Sequence, residues 1–122
     1  MKKSLLILIF AVSLLGGTST FASSCEDAYS SAEEAYSYAR RGWRSDDIDD
    51  IQYYARKAKN AAEEAIHYAD DCGCYEASSY ADDAYTQARR AYNEDDFDWA
   101  EDYIRRAMNY AEDAMFAADY CD

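Results

Sequence analysis

Proline is absent from this chain, and beyond residue 22 so are leucine and valine. Without proline, nothing in the backbone forces a helix to kink or stop. Only four isoleucines and two phenylalanines lie beyond residue 22, which excludes an ordinary aliphatic core. Paired with high net charge, such a composition usually belongs to a disordered chain. Histidine occurs once, as His67. A Ser-His-acid triad has no recognisable setting, and a paired-histidine metal site lacks its second ligand. Basic residues are scarce, 12 against 25 acidic for a formal net charge of −13. That balance repels nucleic acid and anionic membrane surfaces.

No apolar run is long enough to span a bilayer; the longest, Leu5 to Leu15, is too short. It comes after Lys2 and Lys3 and precedes the small-x-small sequence Thr20-Phe21-Ala22. Residues 1–22 therefore read as a secretory signal peptide, and the protein is expected to be exported, periplasmic or secreted. Residues 23–122 read as a single domain, with 10 basic and 25 acidic residues, near −15. A lipid-modified cysteine is the rival use of Cys25, but Ala22-Ser23-Ser24 places no large aliphatic residue close before it.

The residues that are present argue against disorder. Thirteen tyrosines and two tryptophans each carry a large apolar area. Alanine, the best helix former, makes up about a fifth of the domain. Their spacing repeats: Cys25–Cys72 and Cys74–Cys121 are two 48-residue units separated by Gly73, with most aligned positions identical or exchanged like for like. Internal repetition outranks any single motif as evidence of architecture.

Each unit reads as two helices. Ala28, Ala32, Ala35 and Ala39 have a 4-3-4 spacing that Ala77, Ala81, Ala84 and Ala88 repeat. Ile51, Ala55, Ala58, Ala62, Ala65 and Ala69 continue it in the second helix, matched by Ala100, Ile104, Ala107, Ala111, Ala114 and Ala118. Such stripes suit closely packed antiparallel helices. Tyr29, Tyr36, Tyr54, Tyr68, Tyr85, Tyr92, Tyr103 and Tyr110 flank them. Asp46-Asp47 and Asp95-Asp96 stand where second helices begin and can cap them. The expected helices cover about 26–43, 47–71, 75–92 and 96–120, an all-α fold of two tandem helical hairpins in a four-helix bundle. A short staggered solenoid is the alternative.

Four cysteines in an exported chain of this size imply two disulfides. The repeat favours pairings that treat both copies alike, either Cys25–Cys72 with Cys74–Cys121 or Cys25–Cys74 with Cys72–Cys121. The within-repeat pairing is preferred, with each bridge worth on the order of 4 kcal/mol. It meets one difficulty. Counted outward from the turn near Ser45, Cys25 falls opposite residues in the mid-60s, and helix two overshoots by roughly 10 Å. Cys72-Gly-Cys74 also has the form of a redox or copper-binding pair, but the matching Cys25 and Cys121 account for all four cysteines as staples.

Few constellations suggest chemistry. Glu64-Ala-Ile-His67 has the Glu-x-x-His spacing of di-metal bundles, but its repeat copy ends in Phe116 and both residues lie off the stripe. Glu64 and His67 are weak metal candidates. The acidic runs around Asp46, Asp47, Asp95 and Asp96 lack the spacing and mid-loop glycine of an EF-hand. Tyr38, Tyr53, Tyr75, Tyr80 and Tyr120 fall off the stripe, and Trp43 and Trp99 lie near turns. Exposed aromatics beside carboxylates suit a basic protein surface or a sugar polymer. Binding candidates are therefore Trp43, Trp99, Tyr38, Tyr53, Tyr80 and the four aspartates.

The expected function is non-enzymatic, with no cofactor: an exported acidic helical protein that engages a cationic protein or peptide, such as an inhibitor or immunity-type protein. One alternative is a metal-binding or stress-related periplasmic protein using surface carboxylates. Another is a secreted structural or chaperone-like module.

Overall fold

Long alanine-rich stretches with a carboxylate at the start and no proline have every local reason to be helical, and they are. The computed structural model describes residues 25–121; the expected signal peptide lies outside the described residues. Helix α1 covers residues 25–43. After it come α2 (Ile48–Asp71), α3 (Tyr75–Asn93) and α4 (Phe97–Tyr120).

Local chemistry marks the ends. The Asp47 carboxylate caps α2 by accepting from the Asp49 N–H at 3.3 Å, and Asp96 caps α4 by accepting from the Trp99 N–H at 3.1 Å. Between α2 and α3, Gly73 takes a left-handed φ of 78°. Its N–H donates to the Asp70 carbonyl at 3.1 Å, and the Cys74 N–H donates to the Ala69 carbonyl at 2.8 Å. This is a Schellman closure, and the packing of Cys74 with Ala69 completes it. The Ser78 hydroxyl donates to the Asp70 carboxylate at 2.6 Å across the same turn.

The four helices form a bundle. α3 packs along both α2 and α4, whereas α2 and α4 meet only across the diagonal. α1 closes the square: a Cβ added at Gly42 would lie 3.1 Å from Ile104 Cγ1 and 3.2 Å from Tyr54 Cβ. The core is built in layers, each drawing one seam residue from every helix. Ala28, Ala69, Ala77 and Ala118 share one layer with Cys74. Ala32, Ala65, Ala81 and Ala114 form the next, and Ala35, Ala62, Ala84 and Ala111 the one above. Ala39, Ala58, Ala88 and Ala107 join Ile51, Ala55, Ala91, Ala100 and Ile104 at the far end. Because every layer holds both copies of the repeat, the units are wrapped around a common axis. They are not stacked in file as a solenoid.

The layers also resolve the cysteine offset. As α1 steps from Ala39 to Ala28, α2 steps by the same intervals from Ala58 to Ala69, and the next step on each brings Cys25 to Cys72. Their Cα atoms are 5.4 Å apart and the bond is formed; Cys74 and Cys121 are joined likewise at 5.9 Å. α2 neither ends early nor doubles back. The loop at 44–47 climbs beyond the end of α1, so the first six residues of α2, about 9 Å at ~1.5 Å per residue, overhang it. With its sulfur bonded to Cys72, Cys25 has no thiol left for a lipid thioether.

Packing volume is exchanged between the copies. Ile51 and Ile104 are the large fully buried aliphatic side chains. Ile51 corresponds to Ala100 in the repeat, and Ala55 corresponds to Ile104. Each of the two end layers thus holds one isoleucine, on alternate diagonal helices. Where Ile104 points at α1 the residue is Gly42; the equivalent place on α3 is Ala91, opposite Ala55. The tyrosines occupy the flanks, with Tyr29, Tyr36, Tyr85, Tyr103 and Tyr110 half-buried against the layers.

Two predictions come from this arrangement. Replacing Cys25 and Cys72 by serine lowers unfolding free energy by about 4 kcal/mol, read from urea titration monitored by circular dichroism. Ile51→Ala costs about 2–4 kcal/mol, and Ala100→Ile alone overpacks its layer. The double variant Ile51→Ala/Ala100→Ile, which copies the internal exchange, recovers more than half of the loss in the same titration.

Candidate binding surface

Because α1 and α3 run parallel, both hairpin loops, 44–47 and 94–96, come to one end of the bundle, and both disulfides lie at the other. At the loop end the Gln52 side-chain amide donates to the Glu94 carbonyl at 2.8 Å, tying one hairpin to the turn of the other. The Glu94 carboxylate accepts from the Asp96 N–H at 3.2 Å. Asp46, Asp47, Asp95 and Asp96 are all exposed here. Asp47 and Asp96 already serve as helix caps.

The aromatic candidates divide. Trp43, Tyr53 and Trp99 belong to the loop-end half and are exposed. Tyr53 carries the Arg56 guanidinium and the Lys57 ammonium over its ring, at 5.7 and 5.6 Å from the centroid. Trp99 leans on Tyr103 with centroids 6.1 Å apart. Tyr38 and Tyr80 are half-buried, not exposed as their place off the stripe suggests. Tyr38 packs on the loop-end core beneath Arg41, and Tyr80 on the two layers nearest the disulfides. An alanine seam leaves room at its margins, and tyrosines from outside the stripe fill it. Glu64 and His67 are exposed, and among the described residues no three His, Cys, Asp or Glu side chains converge as a metal-ligand group.

Charge is divided by height along the bundle. The loop-end half (residues 38–60 and 87–108) holds all ten of the described Lys and Arg residues, together with ten carboxylates. The disulfide half (25–37, 61–86 and 109–121) holds fourteen carboxylates and no Lys or Arg; its only other titratable cation is His67. Among the described residues the only ion pairs are Asp102 with Arg105 and Arg106, at 2.6 and 2.9 Å, both in the loop-end half. Cations there also lie over Tyr38, Tyr53, Tyr85 and Tyr92. The loop-end half is thus balanced, and the net negative charge of the domain resides around the disulfides.

Two grooves at that end are related by the repeat. One, of about 160 Å³ between α1 and α2, is lined by Asp27, Ser31, Glu64 and Tyr68 among others. The other, of about 170 Å³ between α3 and α4, is lined by Glu76, Tyr80, Asp113, Phe116, Ala117 and Tyr120. Carboxylates occupy equivalent places in both. The filling aromatic changes sides: Ser31 faces Tyr68 in the first, Tyr80 faces Ala117 in the second. Sequence reading singles out Tyr80 here but not Glu76, Asp113 or Phe116. The signal for them is present in the distribution of Lys and Arg along the repeat, once the hairpin register shows which positions share an end. No protein-family model, curated protein or solved structure matches the chain.

Proposed function

We propose that this is an exported, non-catalytic binding protein that holds a cationic protein or peptide against the disulfide half of its bundle. The observation that carries the reading is the complete exclusion of Lys and Arg from that half, where fourteen carboxylates stand without a basic partner. Like charges at this density repel one another and weaken the fold, so their retention calls for a use. A basic surface is steered toward them from beyond contact distance and gains at every carboxylate it neutralises. Both disulfides are at the same end, where they hold the repelling helices together, and formed disulfides are those of an oxidising compartment. The two grooves are shallow and smaller than the ~300 Å³ or more of a typical small-molecule site, and the larger hollow of about 410 Å³ along α1 is an open surface lined by Glu33, Glu34, Ser37 and Arg41 among others, lacking the apolar lining of such a site; both favour a macromolecular partner. An inhibitor or immunity-type role toward a basic enzyme or toxin fits this chemistry.

Titration calorimetry with polylysine tests the reading. Affinity is expected to fall at least 100-fold between about 0.05 and 0.5 M salt, as the Debye length shrinks below the spacing of the charges. Reversing exposed carboxylates of the disulfide half (Glu33→Lys, Glu63→Lys and Asp82→Lys together) weakens binding roughly 10-fold or more. Neutralising the loop-end pair (Asp46→Asn with Asp95→Asn) changes it less than twofold. Equal losses from the two sets, or binding indifferent to salt, would overturn the assignment.

A further inference from the structure

The two hairpins provide an internal control for what the disulfide end is built to contact. Their grooves share fold, size and carboxylates: Asp27 corresponds to Glu76, and Glu64 to Asp113. If neutralising a diffuse positive charge were the whole task, the remaining exposed positions would have no reason to differ. Tyr68, 37% exposed in the first groove, gives way to buried Ala117, and two larger exchanges run the other way. His67 on α2 is replaced on α4 by Phe116, and Asp71 by Tyr120. Phe116 is 54% and Tyr120 86% exposed, so neither substitution fills the core. Both place large apolar side chains in water beside carboxylates, on the second hairpin only. An exposed aromatic patch with an acidic rim is an interface signature.

We infer that the α3–α4 groove is a docking site for an amphipathic cationic segment, whose apolar side chain enters between Tyr80, Phe116 and Tyr120 while its Lys or Arg residues meet Glu76 and Asp113. The inference rests on the proposed function and assigns it a place. Charge complementarity selects this occupant: the groove has carboxylates and no Lys or Arg, so an acidic or neutral apolar segment would leave those carboxylates facing no cation. At about 170 Å³ the groove accommodates a single bulky side chain and falls short of a small-molecule pocket. Aromatic anchors of this kind carry a large share of interface energy, whereas rim charges act mainly on encounter rate and salt dependence. The first hairpin, with His67 and Asp71 at the matching positions, supplies acidity with Tyr68 as its one groove aromatic.

The test compares two probes on the full oxidised protein: a synthetic amphipathic helix with lysines on one face and leucines on the other, and polylysine of equal charge. The amphipathic probe is expected to bind at least 10-fold tighter, and its backbone amide shift changes in NMR should centre on Glu76, Tyr80, Asp113 and Phe116. The variant Phe116→His/Tyr120→Asp carries the residues the first hairpin already tolerates. It should remove that margin while leaving polylysine affinity and its salt slope within twofold. Tyr68→Ala, in the opposite groove, should leave the margin intact. An unchanged margin in the double variant, or equal binding of the two probes, would overturn the groove assignment and leave the wider acidic surface standing. Failure of both probes to bind would overturn both readings. Self-association in sedimentation that the double variant abolishes would instead assign the groove to a second copy of the chain.

Discussion

A methyl group is the largest side chain at most of the seam positions, and this limit on size governs the rest of the molecule. Helices faced with alanine can approach to the short end of the usual ~8–10 Å spacing, with helix backbones themselves forming much of each interface. Such seams bury little area per residue, so stability must be gathered elsewhere. Tyrosines at the flanks extend the apolar face, two isoleucines fill the loop-end layers, and two disulfides restrict the unfolded chain. Close approach also requires Gly42 where α1 crosses Ile104, since even one more methyl group would crowd that side chain.

The same economy shapes the surface. With the core occupied by alanine, the outer faces are free to carry charge, and the chain distributes it unequally. The loop-end half matches its carboxylates in number with cations, pairs Asp102 with two of them and lays several others over tyrosine rings. The disulfide half does none of these. Repulsion there is tolerated because the covalent bridges hold the helix ends where the charge is unbalanced. Stability and charge are thus coupled at one end: the staples permit the unbalanced carboxylates on which the proposed binding rests. Duplication adds a second level. Two copies of a hairpin share one architecture, and exposed positions that diverge between them, such as His67 with Phe116, can be read for function apart from folding.

Much of this architecture is legible in the residues themselves. The 4-3-4 alanine spacing and the Asp47 and Asp96 caps specify four helices and their limits within a residue or so, and the matched cysteines favour the within-repeat disulfides over the other symmetric pairing, because each depends on local periodicity or on the repeat. Cation placement, helix caps and turn chemistry act within a few residues and need no tertiary context. The register of the hairpins is different. Nothing local states that the loop at 44–47 climbs past the end of α1, and a symmetric turn would have left Cys25 opposite the wrong part of α2. Only the packing of Ala28 on Ala69, layer by layer, decides it.

Tertiary structure also decided where the candidate site lies. The acidic runs at Asp46-Asp47 and Asp95-Asp96 are the densest in the chain, yet folding places them in the half where ten cations balance them. Carboxylates that look unremarkable singly, among them Glu76 and Asp113, are gathered around the disulfides, and none of those described forms an ion pair with Lys or Arg. Tyr38 and Tyr80 lie outside the stripe but are drawn into its margin, because a narrow seam leaves space there. The sequence by itself determined which segments are helical, since that depends on spacing alone, and narrowed the cysteine pairing to the two symmetric choices, between which the register of the folded hairpins decided. Which charges share a surface, and which aromatics stand beside them, depends on how helices align across the bundle, and that alignment exists only in the folded chain.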